Sequence, residues 1–211
     1  MARILSFCAV LPASRCRRTR NRPSKSAESR QSCTLPRARG RSPDRRYSPN
    51  DPLLRNRAAI NAHGIATLTV PHGTVLGEAV SYMRKIKEPV ALVGMSAGVS
   101  FAARGVGRGA KPDRLVLISG SLMAPGKLPA QDALKSPSVL PPTLVLHNRN
   151  DGCALTPLSA VELFVNWSGE RARVTWIGGA GGGGPCGLNS AHGFAGADGE
   201  VVNGIASFVL R

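Results

Sequence analysis

The 211 residues suffice for one globular domain of ordinary size. The formal charge is +16, which would point to a nucleic-acid or membrane partner if it covered a folded surface. It does not: residues 1–49 hold twelve Arg and one Lys against Glu28 and Asp44, a net of +11, so 16 − 11 leaves +5 for residues 50–211. No stretch reaches the roughly 18 apolar residues of a membrane-spanning helix, so no membrane span is expected.

The chain opens on Ile4 to Val10, a short apolar run after Arg3 that resembles the hydrophobic part of a secretory signal. From Ser14 to Asn50, Arg, Ser and Pro dominate without helical or strand periodicity. Such a segment buries too little apolar surface to offset its ordering entropy, so residues 1–47 are expected to form a basic, disordered leader outside the fold. Three roles stay open for it: a nucleic-acid-binding arm, an organellar targeting peptide, and an incidental extension. Phe7 and Tyr47 are too few aromatics to interleave with bases, and no specific nucleic-acid partner is expected.

From Ser48 to Arg211 the pattern is that of one domain. Asp51-Pro52 opens a helix through Ile60, with Gly64 at its end. Ala66–Val70 predicts a strand, Thr74–Ile86 a helix, Pro89–Val93 a strand, Ala97–Val106 a helix and Arg114–Ile118 a strand. Strands at Thr143–Leu146 and Val174–Ile177 flank a helix at Pro157–Trp167, and Asp198–Leu210 predicts a closing helix. Val-Ala-Leu-Val and Leu-Val-Leu-Ile lack polar alternation, as do central strands buried on both faces. The fold class is therefore α/β, a mostly parallel sheet with helices on both faces.

Gly94-Met95-Ser96-Ala97-Gly98 matches the nucleophile elbow, G-x-S-x-G, where a serine sits on a sharp strand-to-helix turn. In so Gly-rich a chain the bare pattern carries little, and a Gly-rich turn with a spectator serine is the plainer alternative. Its setting, directly after a buried strand and directly before a helix, favours the elbow. A serine hydroxyl needs a base, and the base a group that fixes its tautomer. Asp151 follows the strand Thr143–Leu146 at the sheet's carboxyl edge, and His192 follows the next strand after a longer loop, giving the order Ser, acid, His. His63 lies in a last helical turn, His72 in a Pro-His-Gly turn, and His147 at a strand end, while Asp198 has the position of a helix cap. The run Gly178 to Gly184 opens no helix, so no dinucleotide loop is supported, and no His, Cys or carboxylate cluster has metal-ligand spacing.

Residues from about Pro49 to Arg211 resemble the α/β-hydrolase superfamily, in particular small bacterial dienelactone hydrolases and carboxylesterases. Four segments carry the resemblance: Asn-Asp-Pro-Leu-Leu-Arg-Asn-Arg-Ala, Val-Gly-Met-Ser-Ala-Gly, Leu-His-Asn-Arg-Asn-Asp-Gly-Cys and Pro-Cys-Gly-Leu-Asn-Ser-Ala-His-Gly-Phe. It implies Ser96 as nucleophile, Asp151 as acid, His192 as general base, a small acyl substrate and no cofactor. It also favours a periplasmic or secreted location. Cys153 and Cys186 sit on the loops of the proposed acid and base, so a disulfide that pins both loops is expected over two free thiols. The backbone N–H of Ala97 would supply one oxyanion donor. The second would come from a loop after a strand preceding Asp51, ground occupied here by Pro36 to Pro43, so the fold is expected to be incomplete at its amino-terminal side. A backbone amide near Asn50 is the substitute donor that the sequence leaves open. A remnant acting as a binding module and a nucleic-acid binder through the basic arm are the rival functions. Oligomeric state is not legible.

Overall fold

The short apolar runs form strands because their side chains find cover on both sides. The computed structural model describes residues 7–12, as backbone, together with residues 48–124, 128–179 and 181–211. After β1 (Phe7–Pro12) come α1 (Pro52–Arg55), α2 (Arg57–Ala62), β2 (Ile65–Thr69), α3 (Leu76–Ile86), β3 (Ala91–Met95) and α4 (Ala97–Gly107). Then follow β4 (Arg114–Ile118), α5 (Ala130–Leu134), β5 (Thr143–Asn148), α6 (Ser159–Trp167), β6 (Ala172–Ile177) and α7 (Asp198–Val209). The strands lie in the order β2-β1-β3-β4-β5-β6, and β3 to β6 are mutually parallel.

Successive side chains on a strand point to opposite faces, which divides the core in two. Leu92, Leu115, Leu117 and Val145 pack with α3, α4, α5 and α6 on one face. Ala91, Val93, Met95, Val116, Ile118, Leu144 and Leu146 pack with α1, α2 and α7 on the other. The expected α/β class with helices on both faces is the class found. Parallel strands joined by helices put the carboxyl ends of β3 and β5 at one edge of the sheet, the edge where ligand chemistry gathers in such folds.

Several elements differ from the sequence expectation. The helix expected from Asp51 to Gly64 is two helices, broken at Asn56, whose φ and ψ of −96° and 5° leave the helical region. Asp51 caps the first, its carboxylate accepting from the N–H of Leu53 (2.9 Å) and Leu54 (3.4 Å). The stretch between β4 and β5, where no element is expected from the sequence, contains α5. Its five residues are too few for a helical period to register in the sequence.

The largest correction concerns the leader. Residues 7–12, expected outside the fold, form a strand between β2 and β3, antiparallel to both, with Val10 opposite Thr67 on one side and Ala91 on the other. Their apolar run reads equally as a signal-like segment or a buried strand, and sheet pairing satisfies the backbone groups that β2 and β3 would otherwise leave open. Because β1 is antiparallel, Phe7 lies opposite Gly94 near the nucleophile's edge, and Pro12 leaves at the far edge opposite Ile65. The strand therefore does not end where an oxyanion loop is needed. The expectations for residues 1–6 and 13–47, including Cys16 and Cys33, lie outside the described residues.

Val10→Pro removes a ladder N–H and forces the ring into an interior strand. An unsatisfied buried backbone partner costs about 1–3 kcal/mol, so the melting temperature of the full chain is expected to fall by about 4–10 °C. An unchanged melting temperature would remove β1 from the sheet.

Candidate active site

Ser96 stands between β3 and α4 with φ 51° and ψ −118°, a left-handed backbone that costs a non-glycine residue about 1–3 kcal/mol. The turn is held by the Ser96 N–H, which donates to the Ile118 carbonyl at 2.8 Å. It also needs the glycine before it, because a Cβ at Gly94 would run into the Gly98 carbonyl. Ala97 is the first residue of α4, so its N–H has no carbonyl within the helix to reach and sits beside the serine.

Asp151 is 5% exposed and lies one turn beyond β5, its N–H donating to the Asn148 carbonyl at 3.1 Å. One carboxylate oxygen accepts from the Cys153 N–H at 2.9 Å. The other accepts from the Thr156 hydroxyl at 3.2 Å and faces His192 Nδ1 at 3.0 Å. Burial works to raise the Asp151 pKa, but the hydrogen bonds from His192 and the Cys153 N–H, with the fields of His192 and His147, outweigh it and hold it below 3.8. Asp151 is thus an anion aimed at one edge of the imidazole.

His192 is 1% exposed, in a short turn whose geometry depends on Gly193, where a Cβ would strike the Leu188 carbonyl. Its N–H donates to Ser190 Oγ at 3.2 Å, and its Nε2 stands 3.0 Å from Ser96 Oγ. A carboxylate only accepts, so Nδ1 carries the proton towards Asp151. Nε2 is then the acceptor for the Ser96 hydroxyl. The three residues singled out in the sequence are brought into one hydrogen-bonded chain.

Two ties fix the loops. Cys153 and Cys186 form the expected disulfide, linking the segment after Asp151 to the segment before His192. Arg55 is the other, and nothing along the chain hints at it. Its guanidinium donates to the carbonyls of Asn50 (2.6 Å), Gly193 (2.8 Å) and Phe194 (3.2 Å), and to Asp198 Oδ1 at 2.8 Å. Asp198 is accordingly not the cap it was expected to be: Ala197 holds that place without a side-chain cap. The Asp198 carboxylate accepts instead from Arg55 and Asn56 Nδ2.

His147 is also more than a strand end. It is 0% exposed, its Nε2 lies 3.4 Å from the same Asp151 oxygen that faces His192, and Trp176 packs edge-on at 5.8 Å. At 3.4 Å the contact is a weak one, and its angles do not make it a hydrogen bond. Burial pushes its pKa down from 6.5 despite the pull of Asp151. Its offset of four residues before the acid, on a strand apolar to its end, was the available signal. A cavity of about 470 Å³ opens at Ser96, walled by Met95, Phe101, Leu128, Leu155 and Leu188, with Asp51 and Arg104 also lining it among the described residues. The N–H groups of Asn50 and Asp51 donate to Ser48 (3.2 and 3.0 Å), and Pro49 has none, so the substitute oxyanion donor expected near Asn50 is not supplied by these amides.

No protein-family model and no curated protein sequence matches the chain. Among solved structures it is similar to one from work on LipS and LipT, two metagenome-derived lipolytic enzymes, at TM-score 0.51 and 12% identity over 74% of this chain and 87% of the other. A second, TT1662 from Thermus thermophilus, gives TM-score 0.45 and 18% identity over 63% of this chain and 60% of that one. At such identity the first likeness speaks to fold, and the fold is the α/β-hydrolase fold.

Reducing the Cys153–Cys186 bond is expected to lower stability by about 3–4 kcal/mol in the chain-entropy model, read as a shift of the urea midpoint with and without reductant. An unmoved midpoint would contradict it. The two buried groups separate by pH. His147 stays neutral in the folded chain while the unfolded chain takes up its proton below 6.5, so its contribution to stability falls as pH drops from about 6.5 towards the folded value, by up to about 1.4 kcal/mol per pH unit. The Asp151 contribution is present above 3.8 and is lost only as pH falls through its lower folded value. Urea unfolding across this range is expected to lose the first slope in His147→Gln and keep the second. A first slope that survives the substitution would place its origin elsewhere.

Proposed function

We propose that the chain is a serine hydrolase that cleaves a carboxylic ester or a related acyl compound through an acyl-enzyme. The observation that carries this reading is the unbroken path Ser96 Oγ, His192 Nε2, His192 Nδ1, Asp151 Oδ2, with 3.0 Å at both contacts, opening on a cavity of about 470 Å³. Ser96 Oγ attacks the substrate carbonyl as its proton passes to Nε2. The imidazolium is stabilised by the Asp151 anion and returns that proton to the leaving alcohol oxygen as the acyl–oxygen bond breaks. Water then gives a proton to Nε2 and its oxygen to the acyl carbon, and Ser96 recovers the proton when the acid departs. The Ala97 N–H points to the tetrahedral oxyanion.

A second reading has one observation in its favour. With the amides of Asn50 and Asp51 turned to Ser48, the oxyanion has a single identified donor among the described residues, and losing one donor costs about 100 to 1,000-fold in rate. A weakly active protein that binds acyl compounds more than it turns them over fits that geometry.

A fluorophosphonate probe reports on the nucleophile without needing the natural substrate. The native chain is expected to label, Ser96→Ala to lose labelling and any esterase rate by about 10⁴-fold or more, and His192→Ala to match it. Labelling that persists in Ser96→Ala would refute the assignment, and a native chain that neither labels nor turns over an ester would leave the binding reading.

A further inference from the structure

On the serine-hydrolase reading above, we propose that Arg104 anchors a negatively charged group on the substrate, so that the cavity selects acyl compounds carrying a carboxylate or an equivalent anion away from the reacting carbonyl. Ser96 is the N-cap of α4, and Ser100 and Arg104, four residues apart within it, share a helix face. All three line the cavity. The Ser100 hydroxyl is committed, donating to the Leu128 carbonyl at 2.6 Å.

Arg104 is half-buried, yet its guanidinium has no ion pair or hydrogen bond among the described residues, unlike those of Arg55 and Arg84. A guanidinium presents five donors in a planar fork and is not deprotonated at any working pH. Half-buried on a cavity that Phe101, Leu128 and Leu155 also line, it gains from an anion that supplies acceptors to that fork. Asp51, the other acidic or basic residue lining the cavity among the described residues, does not compete as a second polar anchor, because it is 3% exposed and caps α1.

Helix geometry sets the reach. Arg104 is the eighth residue of α4, so seven steps of 1.5 Å rise put its Cα about 10.5 Å along the axis from that of Ala97, the residue after Ser96. The anion therefore belongs several bonds from the carbonyl, at the far end of a short chain, rather than on the adjacent carbon.

The test compares kcat/KM for 4-nitrophenyl monoesters of succinic, adipic and suberic acids with that for neutral 4-nitrophenyl esters of matched length, using the full chain. Active sites are titrated by fluorophosphonate so that rates refer to competent molecules. The native chain is expected to favour the best anionic ester by about tenfold or more, rising from succinate to the longer acids. In Arg104→Gln the anionic-to-neutral ratio is expected to fall about tenfold, with Arg104→Lys between the two. A parallel set with the carboxylate on the alcohol side, followed by acid release, tells which end of the ester meets Arg104. Titratable sites with a ratio near one in both sets, or a ratio indifferent to Arg104→Gln, would overturn this proposal and leave the serine-hydrolase reading standing. Absent labelling and absent hydrolysis would overturn both.

Discussion

The site depends on one constraint, the left-handed turn at Ser96 that joins a strand to a helix without a spacer. The turn is costly for a residue with a side chain, and the sheet stabilises it from two directions: the Ile118 carbonyl takes the serine N–H, and α4 approaches so closely that only glycine fits at position 94. With Ser96 fixed, α4 follows at once. It brings the Ala97 N–H to one side of the hydroxyl and sends Ser100 and Arg104 along the cavity wall. The partners have to come to the serine, and they arrive on loops, which need ties that strands do not.

Those ties explain why so much polar chemistry surrounds His192 and Asp151. The disulfide joins the two loops covalently. Arg55 gathers the carbonyls behind His192 onto the end of α1, and Asp151 is fixed by an amide, a hydroxyl and an imidazole. A serine and an imidazole placed about 1 Å too far apart would lose much of the benefit of proximity. His147 adds a neutral buried ring on the other side of the acid, so the anion sits between two imidazoles that differ in environment.

Much of this was legible in the sequence because the signals were local. The parallel strands read as unbroken apolar runs, and Ser96, Asp151, His192 and the cysteine pair each followed a recognisable element in the right order. What escaped were features whose meaning is set at a distance. Arg55 looks like any helix-end arginine until the chain brings Gly193 and Phe194 to it, 138 and 139 residues later. Asp198 looks like a cap because aspartate before a helix usually is one, and the competing Arg55 is invisible along the chain. Phe7 to Pro12 misled for a different reason: six apolar residues carry the same pattern in a signal segment and in a strand, and the basic stretch after them led to their being placed outside the fold.

The proposed function rests on covalent acylation of Ser96 by way of His192. Mixing the native chain with an activated acyl ester, quenching in acid within the first turnover and mapping peptide masses tests it directly. One added acyl group is expected on the peptide that contains Ser96, absent when His192→Ala is treated alike. An acyl group found on another residue, or turnover of the ester with no acylated peptide at any time, would contradict it.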